Sequence, residues 1–261
     1  MRLMLGTQLD PHQIIVVADF DGTFTKKEID GKKTSALMTV LQDEKYLGVA
    51  GKADCQALFE HYYPIELDPN LSEANKSALM QEWWEKTYAV FKREKVSKEM
   101  FLEVCDSPFL QWRDDLLTFL QLLNHKSIPL IIFSAGGFGK LAIEYLLDKA
   151  GVLTDNIQVF SNQIIFDQDG YFQEPVRPIV HIANKTGAFL VKNQLIEAKP
   201  ARRQCLVIGD TLEDANMVQG IDFDLVYKIA FSDYHQDHFQ EKFDLVLPKT
   251  GSYQPIIDLL D

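Results

Sequence analysis

Cysteine is scarce. Cys55, Cys105 and Cys205 are odd in number, far apart and without a Cys-x-x-Cys pair, so neither a disulfide framework nor a thiolate metal site is expected. Cationic charge is also short. Against 38 Asp and Glu stand 26 Lys and Arg, a net charge of -12, which argues against nonspecific nucleic-acid binding because that needs a basic footprint. A small anionic ligand in a local pocket is still allowed, especially beside a metal ion. No apolar run is long enough to span a bilayer, and the apolar part of "MRLMLGTQLD" is too short for a signal peptide. Repeats and low-complexity tracts are missing as well. The expectation is a soluble, cytoplasmic protein with no nucleic-acid or membrane partner and no evident protein partner. Its composition, 46% hydrophobic and 25% charged, is that of a globular chain with one large domain or two smaller ones.

Several apolar runs read as buried parallel strands: Ile14–Phe20, "IPLIIFSAGG" from Ile128 and "RQCLVIGDT" from Arg203, with shorter ones at "FDLVYKIAF" from Phe223 and "FDLVLP" from Phe243. Helical patterns alternate with them at Gly139–Gly151, Thr186–Ile196 and Leu212–Gly220. That alternation predicts a doubly wound α/β domain, with ligands beyond the carboxyl ends of its strands. The rhythm breaks once. More than a hundred residues separate Phe20 from Ile128, and they read as helices. We expect a core of residues 1–26 and 113–261, and an inserted helical cap over 27–112 that closes over the first strand end and excludes water.

"IIVVADFDGTFT" (Ile14–Thr25) runs a buried strand into Asp19 and Asp21. Strand alternation puts both carboxylates on one side, and Gly22 permits a sharp turn. Such a pair suits Mg²⁺, a hard cation that takes oxygen ligands, or a nucleophile and a proton carrier, or simply a solvated turn. In "FSAGG", Ser134, Ala135 and Gly136 end a strand just before a helix, where a hydroxyl and backbone N–H groups form an anion site. Lys185 in "HIANKTGA" reads alone as a surface lysine, but beside a phosphate and two aspartates it would offset their repulsion. "VIGDTLEDANM" adds Asp210 at another strand end and Asp214 in the first turn of an expected helix. A second Asp-x-Asp-Gly, around Asp167 and Asp169, carries the Asp-Gly signal of a hairpin turn and lacks this company.

The ordered set resembles the haloacid dehalogenase (HAD) superfamily of phosphohydrolases. The resemblance implies that Asp19 is a nucleophile forming an aspartyl-phosphate and that Asp21 is the general acid, then base. It implies that Ser134 and Lys185 hold phosphoryl oxygens. Mg²⁺ would lie on Asp19, Asp210 and the Asp21 carbonyl, with Asp214 supporting. "HYYPIELDP" (His61–Pro69) and "MQEWWEKTY" (Met80–Tyr88) extend the likeness to cytosolic type III pyrimidine 5′-nucleotidases, whose cap positions for contacting and stacking on the base correspond to Glu66 and Trp84. One departure is the Asp-x-Asp-Gly-Thr of this chain, where that family commonly has Met in place of Gly.

The expected activity is Mg²⁺-dependent hydrolysis of nucleoside 5′-monophosphates, with UMP and CMP preferred. Alternatives are 7-methylguanosine monophosphate, another small phosphomonoester such as phosphoserine, or a non-catalytic nucleotide-binding module. Glu66 does not choose among bases, since a carboxylate can accept from cytosine, uracil or guanine edges. Trp84 is expected to face the cleft and Trp83 the cap core. His181 is assigned no role, Cys205 is expected to be a core thiol, and "HQDH" (His235–His238) a solvated connector.

Overall fold

The computed structural model describes residues 9–29, 32–33, 37–68, 70–108, 110–137, 139–233 and 236–261. The chain opens with β1 (Ile14–Ala18), forms a short ribbon of β2 (Glu28–Ile29) and β3 (Lys32–Lys33), and runs through helices α1 (Leu37–Leu41), α2 (Glu44–Leu67), α3 (Glu73–Arg93) and α4 (Lys98–Cys105). Next come α5 (Leu116–His125), β4 (Leu130–Phe133), α6 (Gly139–Lys149) and β5 (Ile157–Phe160), then a hairpin of β6 (Ile164–Phe166) and β7 (Phe172–Pro175). The chain finishes with α7 (Gly187–Lys192), β8 (Gln204–Gly209), β9 (Leu225–Phe231), α8 (Gln236–Lys242), β10 (Leu245–Leu247) and α9 (Gln254–Leu260).

Six of these strands form one parallel sheet in the order β10-β9-β8-β1-β4-β5. The central strand explains its own composition. Ile14, Val16 and Ala18 enter one core, and Ile15 and Val17 enter another on the opposite face. A strand covered on both sides has no polar face, hence the unbroken apolar run. Each such side chain contributes about 1.5–3 kcal/mol on burial. The register then fixes the site. Ala18 lies opposite Ile132 on β4 and Ile208 on β8, and the Asp19 N–H donates to Ile208 O at 2.9 Å. Asp19, Ser134 and Asp210, the residues just past these strand ends, therefore emerge at the same edge of the sheet.

Between the first two long strands the chain crosses itself. Thr25 and Trp112 form an antiparallel bridge, the Lys26 N–H donates to Gln111 O at 2.9 Å, and the Arg113 N–H donates to Phe24 O at 2.8 Å. Arg113 pins this crossing. It is 2% exposed, and its guanidinium donates to the carbonyls of Gly22, Thr23 (2.8 Å), Lys249 (2.7 Å) and Gly251 (2.9 Å) while lying 3.7 Å over the Phe231 ring. Planar guanidinium geometry lets one side chain satisfy several carbonyls that burial would otherwise orphan.

Helix α3 starts on Ser72, whose hydroxyl accepts from the Asn75 N–H at 3.3 Å, and ends with Lys92 and Arg93 in its last turn, where cations are favoured. Met80, Thr87, Tyr88 and Phe91 form its buried stripe. One sequence expectation changes and another holds. The helix expected over Leu212–Gly220 is a 3₁₀ turn, Leu212–Asn216, because the Asp214 carboxylate folds back onto the N–H groups of Asp210 and Thr211. The region around Asp167 and Asp169 is the turn of the β6–β7 hairpin, with the Asp167 carboxylate accepting from the N–H groups of Asp169 (3.0 Å) and Tyr171 (2.9 Å). That hairpin also docks on the helical layer. The Lys98 N–H donates to Gly170 O at 2.9 Å, the Phe172 N–H donates to Val96 O at 2.7 Å, and Phe172 stacks on Tyr88 with centroids 5.5 Å apart.

Candidate active site

One cleft of about 370 Å³ is lined by Asp19, Asp21, Ser134, Ala135, Gly136, Lys185, Asp210 and Asp214 from the sheet edge, and by Glu66 and Trp84 from the helical layer. All ten residues singled out in the sequence meet there. Asp19 is 7% exposed. Its carboxylate accepts from Lys185 Nζ and from Thr23 Oγ1 at 3.3 Å, so the Thr that follows Asp-x-Asp-Gly steadies the first Asp. Lys185, 4% exposed, also donates to Asp214 Oδ1 at 2.7 Å. The other oxygen of Asp214 accepts from the Asp210 N–H at 3.0 Å, and from the Thr211 N–H and Oγ1, each at 2.9 Å. Asp214 thus holds both the lysine and the loop that carries Asp210.

Asp21 points toward the "FSAGG" turn. A Cβ on Gly136 would lie 2.7 Å from Asp21 Oδ2 and 3.2 Å from Ser134 Oγ, so glycine is what allows the carboxylate and the turn to approach. Ser134 Oγ accepts from the Gly136 N–H at 3.0 Å, which shapes the turn. Gly22 has φ of +82°, a left-handed conformation suited to glycine.

Burial dominates the electrostatics. It raises the Asp19 carboxyl, with Asp214, Asp210 and Asp21 adding to the rise and the Lys185 ammonium opposing it. Burial also raises Asp21, against the pull of Lys27 and Lys185. It pushes Asp210 up to about 6, with Lys27 again opposing. For Asp214 burial is outweighed by Lys185 and the loop N–H groups, and its carboxyl is held below the usual range. Burial alone would lower Lys185, but contact with Asp19 and Asp214 raises it above its ordinary value. Oxygens of Asp19, Asp210 and Asp214 lie within 4.8 Å of one another, and no other such acidic or His/Cys group occurs among the described residues. Such hard oxygen donors fit Mg²⁺. The Asp21 carboxylate is not in this group; only its carbonyl enters the expected ligand set.

The opposite wall is aromatic. Trp83 and Trp84 are both half-buried and both line the cleft, along with Phe59. The expectation that Trp83 sits in the cap core is corrected: it stacks on Tyr62 (5.8 Å) and on Trp84 (6.4 Å), and Trp84 stacks on Tyr88 (5.6 Å). Neighbouring helix positions diverge by about 100°, but large indoles on a shared wall both reach the opening. Glu66 is half-buried, and burial together with the nearby Glu213 pushes its carboxyl up to about 7, against Lys76.

Lys27 and His181 are among the further residues that line the cleft. Lys27 sits in the charged run "KKEIDGKK", which reads as solvated surface, yet its ammonium contacts Asp210. His181 is 2% exposed, and burial pulls its imidazole down to about 4, so it is neutral at physiological pH. Cys205 is a buried core thiol, 1% exposed. His235 lies outside the described residues, and His238 is exposed on α8 with Glu241 at 4.0 Å. No described helix is long and apolar enough to cross a membrane.

The 7-methylguanosine phosphate-specific 5′-nucleotidase B of Xenopus laevis is 30% identical over 251 residues, covering 94% of this chain and 85% of its own length. The human 7-methylguanosine phosphate-specific 5′-nucleotidase is 28% identical over 250 residues, covering 94% and 83%. Among solved structures, cytosolic 5′-nucleotidase IIIB bound to cytidine superposes with a TM-score of 0.78 at 26% identity, over 95% of this chain and 85% of that one. A phosphoserine phosphatase in a phospho-aspartyl intermediate analogue state shares the fold, with a TM-score of 0.59 at 15% identity, over 95% and 99%. The family model described as Pyrimidine 5′-nucleotidase (UMPH-1) matches residues 22–261, from the residue after Asp21 to Asp261. The chain is a 5′-nucleotidase-type phosphatase of the pyrimidine 5′-nucleotidase (UMPH-1) family, on a HAD-like α/β core.

Proposed function

We propose that this protein hydrolyses nucleoside 5′-monophosphates through an aspartyl-phosphate on Asp19, with 7-methylguanosine 5′-monophosphate as the preferred substrate. The observation that carries the reading is the meeting, in one cleft, of the Asp19–Lys185–Asp21–Ser134–Asp210 edge and a wall of Glu66, Trp83 and Trp84. Asp19 attacks phosphorus, and the bond from phosphorus to the nucleoside 5′ oxygen breaks. Asp21 gives its proton to that oxygen. Its raised pKa, caused by burial, suits an acid that must hold a proton near neutral pH. Water then attacks the aspartyl-phosphate while Asp21 takes a proton back, releasing phosphate. Ser134 and Lys185 hold the phosphoryl oxygens, as the charge spread over them requires. Asp19, Asp210 and the Asp21 carbonyl would hold Mg²⁺, which neutralises phosphoryl charge when bound; Asp214 keeps Lys185 and the Asp210 loop in place. Residues 27–112 serve as the unit that selects the base.

The sequence alone put UMP and CMP first. Two cleft tryptophans instead of one favour the methylated purine, because its ring is cationic and an indole face attracts cations. Glu66 would accept from its N1–H and N2–H₂ edge. The names of the Xenopus and human relatives support the same choice. Cytidine bound to the solved neighbour supports CMP as the second substrate. The test is phosphate release with Mg²⁺ from 7-methyl-GMP, CMP, UMP, AMP and phosphoserine. The highest kcat/KM is expected for 7-methyl-GMP, then CMP. Turnover of phosphoserine above both nucleotides would overturn the reading, and CMP or UMP above 7-methyl-GMP would return the preference to pyrimidines.

Glu66 makes a second expectation measurable. A carboxyl raised to about 7 accepts from two base N–H groups at once only when ionised. KM for the nucleotide is therefore expected to fall as pH rises through about 7. Glu66→Gln should lose this pH dependence and raise KM by about 10-fold or more, in the range of a lost charged hydrogen bond, while turnover of a generic aryl phosphate changes little. Equal losses on both substrates would remove Glu66 from base reading.

A further inference from the structure

Lys27 has no part in the scheme above, yet it reaches the centre of the site. It follows Asp19 by eight residues, just beyond the Thr25–Trp112 crossing, and its ammonium contacts Oδ2 of Asp210. Gly22 makes the contact possible: a Cβ there would lie 2.2 Å from Lys27 Cε and 2.6 Å from Asp210 Oδ2. The two cleft lysines are built differently. Lys185 is buried and held by two carboxylates. The Lys27 side chain is 45% exposed, whereas that of its partner Asp210 is 4% exposed. The carboxylate is buried, and the lysine side chain that reaches it is the exposed partner.

Asp210 also belongs to the group of three carboxylates whose oxygens converge. An ammonium and a divalent cation on one carboxylate repel each other strongly at that range, so the two compete. We propose that Lys27 is an internal counter-ion that competes with the divalent cation for Asp210 and so sets the protein's metal affinity. A lysine tethered just past the Thr25–Trp112 bridge would keep the acid cluster neutralised before metal arrives and make metal binding weaker and more readily reversible. The inference rests on the reading of this cluster as the Mg²⁺ site.

The test is Mg²⁺ titration by calorimetry on the full chain, with thermal melts at several Mg²⁺ concentrations as a second readout. Lys27→Gln removes the competitor, Lys27→Arg retains the charge, and Lys26→Gln removes the adjacent lysine, which pairs with Asp114 at 2.7 Å. Lys27→Gln is expected to bind Mg²⁺ about 10-fold more tightly than wild type and to gain more melting temperature from it, as linkage requires. Lys27→Arg should stay within about threefold of wild type and Lys26→Gln within about twofold, because screening weakens charges that are not in contact. Unchanged or weaker binding in Lys27→Gln overturns the proposal, as does equal tightening in Lys26→Gln. If none of the four proteins binds Mg²⁺, the metal-site reading fails, and the competition proposal falls with it.

Discussion

Asp19→Asn is expected to lower kcat/KM by about 10⁴-fold or more, roughly 5 kcal/mol of lost transition-state stabilisation, without loss of folded protein. The amide has the size of the carboxylate but cannot serve as the nucleophile. Its effect on stability is the informative half. Asp19 is raised by burial and by three neighbouring carboxylates, and Lys185 keeps Asp214 as a partner at 2.7 Å after the change. Removing one of four crowded acids relieves repulsion, so the melting temperature should stay level or rise. Steady-state phosphate release and a thermal melt check both halves. Turnover within 100-fold of wild type would eliminate Asp19 as the nucleophile. A large fall in melting temperature with lost activity would mean instead that the residue is structural.

Lys185→Met is expected to lose activity and stability together. The ammonium is the contact shared by Asp19 and Asp214, which are 7% and 2% exposed. Removing one member of a buried charged group costs about 3–5 kcal/mol, because the partners are left uncompensated. The sign with pH follows from the carboxyls left behind. Without the lysine the Asp19 carboxyl rises further above its unfolded value and the Asp214 carboxyl loses what holds it down, so the variant's deficit is full at high pH and shrinks as protons are taken up on lowering the pH. Urea unfolding at pH 8 and pH 5.5 tests this: the gap to wild type should be wider at pH 8. A deficit independent of pH would point to lost packing around the lysine stem instead.

These two variants sit on the part of the molecule that the sequence announces most clearly. Buried parallel strands show as apolar runs, and a polar residue that ends such a run has few places to be. Asp19, Ser134 and Asp210 were legible for that reason, and the sheet register puts them at one edge. The same logic separated the two Asp-x-Asp-Gly segments, since Asp167 and Asp169 follow a run too short to be a central strand. Lys27 was not legible. A lysine in a charged run is ordinarily solvated, and only the crossing at Thr25 and Trp112 brings it to Asp210. Arg113 was hidden in the same way, because its partners are carbonyls and backbone acceptors leave no trace in a sequence. Trp83 failed for a geometric reason: helical phase tells adjacent residues apart by direction, but an indole is wide enough to reach the cleft from either. The 3₁₀ turn at Leu212–Asn216 reflects one side chain, Asp214, overriding local helical preference.

The docking of the β6–β7 hairpin on the helical layer bears on how specificity in this family can be re-engineered. Two backbone hydrogen bonds, Phe172 to Val96 and Lys98 to Gly170, and the Tyr88–Phe172 stack tie α3 and the start of α4 to a ribbon encoded roughly seventy residues later. The tryptophan wall rests on that ribbon through Tyr88. A chimaera that exchanges only residues 27–112 between relatives would therefore set a foreign aromatic wall on a native ribbon and tilt it. If residues 27–112 select the base as proposed, the exchangeable module is discontinuous: the helical insertion and the hairpin Ile164–Pro175 have to travel together.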